Sequence, residues 1–241
     1  MNSVNSSGPN SAAEILVIVA HPSLEQSRAN QRLMSTALQL SHVRVHDLYA
    51  LYPDYLIDVA AEQAALNSAK LVVWQHPIHW YGMTPMMKLY LDEVLAFNWA
   101  YGPTGDALRG KDVWLVASTG GPEDSYHPTS YNRYLFDAFL PPYEQTAALC
   151  GMRFLQPMLL HGAHQLSEVA LAEHAAVYAQ RLSSYPAWPE LADLDDCVDC
   201  EVPTSARPSD DANTHSARPG DHANTHSARP LEPTDTLKAN L

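Results

Sequence analysis

Ile15-Leu16-Val17-Ile18-Val19-Ala20, followed by His21-Pro22-Ser23-Leu24-Glu25-Gln26 and then Ser27-Arg28-Ala29-Asn30, is the stretch whose reading decides the fold. An unbroken apolar run of strand length, with no polar alternation, is the pattern of a strand covered on both faces. His21-Pro22 breaks it. Ser27 to Leu40 then places Leu33, Met34, Ala37 and Leu38 on one helical stripe. Moving outward, Val43 to His46 alternates like an edge strand, and Ala60 to Ala69 is a run of good helix formers. Leu71 to Trp74 and Val113 to Ala117 repeat the buried-strand pattern. Between them Pro85, at a first helical position, opens Met86 to Leu95. Ser130 to Gly151 reads as mostly helical with a break at Pro141-Pro142, Phe154 to Leu160 as a fifth strand, and Ser167 to Leu182 as a closing helix. Strand and helix in alternation predict an α/β fold, a five-stranded parallel sheet with helices on both faces in the flavodoxin-like arrangement.

The remaining composition bounds the function. The chain has 241 residues, 14 Lys and Arg against 27 Asp and Glu, a net charge of -13 and 46% hydrophobic residues. A negative balance argues against nucleic acid as a partner, because neutralising its backbone takes clustered Lys and Arg. Only 3 Cys are present, too few for a disulfide framework. The longest aliphatic run is far short of the ~20 residues of a membrane-spanning helix. Met1 to Ala13, rich in Ser and Asn, lacks the charged and apolar parts of a secretory signal. A soluble cytoplasmic protein is the expectation. From Pro186 the chain turns acidic and Pro-rich, and Ser-Ala-Arg-Pro recurs at Ser205, Ser216 and Ser227. Such a repeat buries too little apolar surface to offset the entropy of ordering its backbone. The expected division is an extension over 1–13, a folded domain over 14–185 and a disordered tail over 186–241.

In a parallel sheet of this kind, ligands bind beyond the carboxyl ends of the strands, where strand order reverses. Three loops therefore matter. In the first, Ser27, Arg28, Ala29 and Asn30 bring a hydroxyl, a guanidinium, an amide and free backbone N–H groups to a helix start, a site for a phosphate; Ser27 as a plain cap is the competing explanation. In the second, His76-Pro77-Ile78-His79-Trp80-Tyr81-Gly82 sets two aromatic side chains beside a small residue, either against a planar ligand or as a plug on the sheet edge. In the third, Ser118-Thr119-Gly120-Gly121 offers consecutive N–H groups suited to an electron-rich ring edge, or simply a tight turn. No Gly-x-Gly-x-x-Gly, P-loop or Gly-x-Ser-x-Gly occurs. A phosphate at loop one and a flat ring between loops two and three describe flavin mononucleotide (FMN). His76 with His79, and His161 with His164, lack the acidic partner of a hydrolytic zinc helix, and no metal site is expected. Cys197-Val198-Asp199-Cys200 stands alone in the tail, without a second pair.

Taken together, Ala20-His21-Pro22 with Ser27-Arg28-Ala29-Asn30, Val73 to Tyr81, Trp99-Ala100-Tyr101-Gly102 and Thr119-Gly120-Gly121 resemble the flavodoxin-like NAD(P)H:quinone oxidoreductase family. Within it the resemblance is to the small bacterial ancillary subunits of glutathione-gated potassium-efflux systems, over roughly Ile15 to Tyr185. It implies that His21, Ser27, Arg28, Ala29 and Asn30 hold the ribityl phosphate, that Ile78, His79, Trp80 and Tyr81 line the isoalloxazine, and that Ser118, Thr119, Gly120 and Gly121 cover its pyrimidine edge. Larger animal relatives carry a Tyr and a His after the Gly pair that assist hydride transfer. Tyr126 stands at a comparable spacing, Asn132 falls where the His would, and His127 is a nearby imidazole, which makes Tyr126 and His127 the candidate catalytic pair. The resemblance further implies NAD(P)H as co-substrate, a quinone as acceptor, ping-pong kinetics and a homodimer. A potassium-efflux antiporter is the partner it implies, which would bring the chain to the inner face of the cell membrane. Two alternatives follow from the same likeness: a flavin-loaded transporter-binding subunit with incidental reductase activity, and an azo or nitro reductase.

Overall fold

A computed structural model describes residues 14–192. Met1 to Ala13, the repeats from Ser205 and the Cys197–Cys200 pair lie outside the described residues. Five parallel strands, β1 (Ile15–Val19), β2 (Val43–Asp47), β3 (Leu71–Pro77), β4 (Asp112–Ser118) and β5 (Arg153–Leu160), form one sheet in the order β2-β1-β3-β4-β5. Every residue of β1, β3 and β4 is buried, as their unbroken apolar runs require, while β2 and β5 at the edges are only partly covered. Pro157 cannot donate to a ladder and is tolerated in β5 because that strand is an edge; the register to β4 shifts between Trp114 and Val116.

Alternation along the strands sorts the core into two layers. Leu16, Ile18, Val72, Trp74, Val113 and Leu115 face α3 (Val59–Ser68), α4 (Pro85–Val94) and α5 (Pro141–Leu149). Ile15, Val17, Leu71, Val73, Trp114 and Val116 face α1 (Arg28–Ala37) and α6 (Glu168–Ser184). A short helix α2 (Leu48–Leu51), capped by Asp47, leads out of β2. Each fully buried Leu or Val contributes roughly 1.5–3 kcal/mol relative to exposure, so the fold rests on these two layers.

Two expectations change. Ser130 to Gly151 is helical only over Pro141–Leu149, preceded by a single 3-10 turn at Phe136–Phe139. Asn132 explains the difference: its amide donates to the buried Ser125 Oγ at 2.8 Å, and Arg133 beside it has φ +62°, so this stretch is held as a loop. At the other end, folded structure runs past Pro186. Trp188 is 3% exposed, packs edge-on to Trp114 at 5.1 Å and donates Nε1–H to the Arg181 carbonyl at 2.8 Å. The Arg181 guanidinium lies 3.8 Å from the centroid of its ring, a cation–π contact. Pro189–Ala192 closes the described chain as a 3-10 turn.

Candidate functional site

Strand order reverses between β1 and β3, and the loops after β1, β3 and β4 meet there. After β1, a 3-10 turn at Leu24–Gln26 delivers Ser27, whose Oγ accepts the Asn30 N–H at 3.2 Å and so caps α1. Asn30 is buried. Its side-chain amide donates to Ser27 Oγ at 3.2 Å and to Ser118 Oγ at 2.8 Å, and its carbonyl accepts from Gln75 Nε2 at 3.0 Å. That network pins the start of α1 to the ends of β3 and β4. Among the described residues no acceptor takes the N–H of Arg28 or Ala29, which leaves the first turn of a ten-residue helix free to hold an anion. The Arg28 side chain donates to the Leu166 carbonyl at 3.2 Å and pairs with Glu168. Both partners are about half exposed or more, so the pair is weak and a phosphate can compete for the guanidinium.

After β3, Ile78 N–H donates to the Ser118 carbonyl at 2.8 Å, and His79 and Gly82 exchange two backbone bonds of 3.1 Å each. The two residues inside that tight turn are Trp80, φ +49°, and Tyr81, φ +65°. This left-handed pair is the geometry Asn-Gly normally serves. Two aromatic residues there cost about 1–3 kcal/mol each. Trp80 is nevertheless 95% exposed, so packing within this chain does not compensate that strain. Tyr81 stacks on Phe139 at 5.1 Å.

After β4, the turn is bound to the loop that follows β5. Thr119 N–H donates to the Leu160 carbonyl at 3.0 Å, Ala163 N–H to that of Thr119 at 2.9 Å and Gly162 N–H to that of Gly121 at 2.8 Å. With the Gly121 carbonyl so occupied, the N–H groups of Gly120 and Gly121 find no acceptor among the described residues. A Cβ on Gly120 would meet no atom within 4 Å. Bare N–H donors beside open space are what a ring edge bearing carbonyl oxygens would fit.

These loops enclose a cleft of about 450 Å³, lined by His21, Gln26, Ser27, Arg28, Ala29, Pro77, Ile78, His79, Ser118, Thr119, Gly120, Ala163 and His164, within the usual range for small-molecule sites. Nine residues singled out in the sequence are thus brought together. Asn30 sits behind the wall as its organiser, Gly121 and Trp80 directly follow the lining residues Gly120 and His79, and Tyr81 comes one residue further on. His127 is not in the cleft: it is exposed, with Nδ1 at 2.8 Å from Thr129 Oγ1. Tyr126 is half-buried against Phe136, Phe139 and His161, and the imidazole that packs on it is therefore His161, not His127. Sequence reasoning missed Gln26 and the loop after β5. That loop lies at the same sheet edge as the other three, and the position rule that found them applies equally to it.

Titration follows from burial. His21 accepts the Ser23 N–H on Nδ1 at 3.1 Å, so its proton is on Nε2. Burial, then the nearby His79 imidazole, pushes its pKa below the usual value despite Glu25, and the ring serves as a neutral donor. Burial likewise raises the Tyr126 phenol, with the nearby Thr119 hydroxyl acting the other way. A second cavity of about 420 Å³ between α4 and α5, lined largely by apolar side chains such as Leu91, Leu95 and Leu149, contains none of these groups.

Comparison with known proteins agrees with this fold. The glutathione-regulated potassium-efflux system ancillary protein KefF of Citrobacter koseri is 44% identical over 171 residues, 71% of this chain and 96% of that protein. Among solved structures, general stress protein 14 of Treponema denticola, in complex with FMN, shares 36% identity over 71% of this chain and 98% of that one, with TM-score 0.66. An NADPH-quinone reductase of P. pentosaceus shares 25% over 69% and 96%, with TM-score 0.64. The model of the flavodoxin-like fold family matches residues 13–182, and the chain, with its five-stranded 2-1-3-4-5 sheet, belongs to that family.

Proposed function

We propose that the protein is an FMN-dependent NAD(P)H:quinone oxidoreductase. The observation that carries this is one cleft with two sets of backbone N–H groups that find no acceptor among the described residues, Arg28 and Ala29 at the start of α1 and, after β4, Gly120 on the wall with Gly121 beside it. The first set, with Ser27 and the Arg28 side chain, would hold a phosphate by its charge and its oxygens. The second would face the electron-rich edge of a flavin, and between them Ile78, His79, Trp80 and Tyr81 would line the ring. Held there, FMN would supply the redox chemistry that links a nicotinamide donor to a quinone acceptor in two-electron steps. Gly120 and Gly121 would stabilise negative charge as it develops, a fixed-dipole effect that needs no reorganisation. Both substrates would stack on the same face of the ring in turn, so we expect ping-pong kinetics. Tyr126, next to Thr119, would be the polar side chain behind the ring edge.

The 44% identity to KefF supports a second role for the same fold, as a regulatory subunit bound to a potassium-efflux antiporter. No helix among the described residues is long and apolar enough to cross a membrane, so attachment to the inner membrane face would come through that partner. The strained, exposed Trp80 at the cleft edge is the surface that a homodimer would cover. The deciding measurement is an absorbance spectrum of purified protein, followed by NAD(P)H oxidation with a soluble quinone. Flavin bands that bleach with reduced nicotinamide and return with quinone are expected. Colourless protein that also ignores added FMN in calorimetry would overturn the assignment. Co-purification with the antiporter tests the second role.

A further inference from the structure

We propose that His161, acting through Thr119, holds the Gly120–Gly121 turn against the cleft and takes up one proton when negative charge arrives at that turn; this rests on the flavin reading above. Thr119 Oγ1 lies 2.8 Å from the Gly121 carbonyl and 3.1 Å from His161 Nδ1. A carbonyl can only accept, so the Thr119 O–H must donate to Gly121. The Thr119 oxygen is then the acceptor for His161, whose Nδ1 must carry a proton. The chain His161 to Thr119 to Gly121 therefore has one direction, and it fixes the turn whose free N–H groups line the site. It leaves His161 Nε2 as the atom that gains or loses a proton without disturbing the turn.

The surroundings suit a ring that changes charge. Tyr126 and Phe136 pack on it at 5.3 and 5.2 Å between centroids. From the 3-10 turn after β4, Glu123 is the acid that faces it; from its own loop, His164 is the nearest other imidazole by sequence. In the free protein, burial outweighs Glu123 and depresses the imidazole, which is neutral at pH 7. A negative charge placed against Gly120 and Gly121 reverses that preference. The balance is explicit. The nicotinamide is oxidised by loss of a hydride, which delivers two electrons and one proton to the site together with one net negative charge. His161 Nε2 takes one proton from solvent in compensation. When the quinone is reduced it leaves as a quinol with two electrons and two protons, one from the hydride and one from His161, and the imidazole is neutral again. His161 is thus a positioning residue that also carries the second proton of the overall reaction.

Two variants separate the parts. His161→Gln keeps an N–H for Thr119 but cannot be protonated; His161→Leu loses both. Calorimetry with FMN should show His161→Gln within about twofold of wild type and His161→Leu weaker by about tenfold, the scale of one lost hydrogen bond. Proton uptake on anaerobic dithionite reduction of the FMN-loaded protein, followed with a pH indicator, should be about one proton per flavin lower in His161→Gln than in wild type. Equal uptake in the two, or full FMN affinity in His161→Leu, would overturn the role of His161 while leaving the flavin assignment standing. Wild-type protein that binds no FMN would instead bring down that assignment, and this inference with it.

Discussion

A Cβ on Gly121 would stand 2.7 Å from Ser125 Oγ and 2.9 Å from the Tyr131 hydroxyl, whereas one on Gly120 would meet nothing within 4 Å. The two glycines therefore have different reasons to be glycine. Gly121 is small because the buried Ser125, itself bonded to Asn132 and to the Pro122 carbonyl, occupies the space behind it. Gly120 is small because a side chain there would project into open space on the cleft wall. Gly121→Val should cost about 1–3 kcal/mol of stability by overpacking, and any loss of cofactor would follow from that. Gly120→Val should leave stability within about 0.5 kcal/mol yet weaken FMN binding at least about tenfold. Urea unfolding and FMN calorimetry on the pair check both; equal cofactor affinity in Gly120→Val and wild type would remove the ring edge from this wall. From sequence alone the two positions are a Gly-Gly pair with one meaning, since what stands behind each of them comes from residues up to eleven positions away.

Among the elements, α1 depends most on a residue outside the hydrophobic layers. Asn30 uses its amide on Ser27 and Ser118 and its carbonyl on Gln75, whose own side-chain oxygen accepts from the buried Tyr178 hydroxyl at 3.1 Å. Asn30→Ala leaves Ser118 without its donor, a buried loss of about 1–3 kcal/mol, and it leaves the Gln75 bond to the backbone carbonyl of residue 30 to tie the first turn of α1 to β3. A lower urea midpoint is expected, with phosphate affinity falling alongside; a variant as stable as wild type would show that the network is incidental. Buried strands were legible because three unbroken apolar runs can be little else at that length. Helix starts were legible from Ser27, Pro85 and Ser167, which stand at the first turns of α1, α4 and α6. The failure at Ser130 to Leu140 has a physical cause: its aromatic residues have helical spacing in places, but Asn132 is taken by Ser125, a bond no local pattern announces. Likewise the fourth loop of the site gave no motif of its own. Its contribution is made by backbone bonds to Thr119 and Gly121, by the His161 imidazole behind the turn and by Ala163 and His164 on the cleft wall.

On the scale of the whole molecule, the two core layers differ in how they are closed. The layer beneath α3, α4 and α5 is covered by those three helices and by the short α2 through Leu48, whereas the layer beneath α1 and α6 has two, and Trp188 lies on the latter beyond the end of α6. Its ring packs against Trp114 of β4 and under the Arg181 guanidinium, and Arg181 also pairs with Glu190. Composition alone cannot show this, because the Pro-rich, acidic segment from Pro186 that suggests an unfolded tail contains, two residues in, a tryptophan that completes the core. A chain ended after Tyr185 should therefore lose stability on the scale of a buried tryptophan deletion, about 3–5 kcal/mol. One ended after Thr204, just ahead of the Ser-Ala-Arg-Pro repeats, should keep the urea midpoint of the full chain. Trp188→Ala in the full chain removes the ring and keeps Glu190 for Arg181; because that partly exposed ion pair contributes little, the substitution should reproduce most of the defect of the truncation after Tyr185. If instead the chain ended after Tyr185 unfolded at the same urea concentration as the full protein, Trp188 would be a passenger on a layer already closed by α1 and α6.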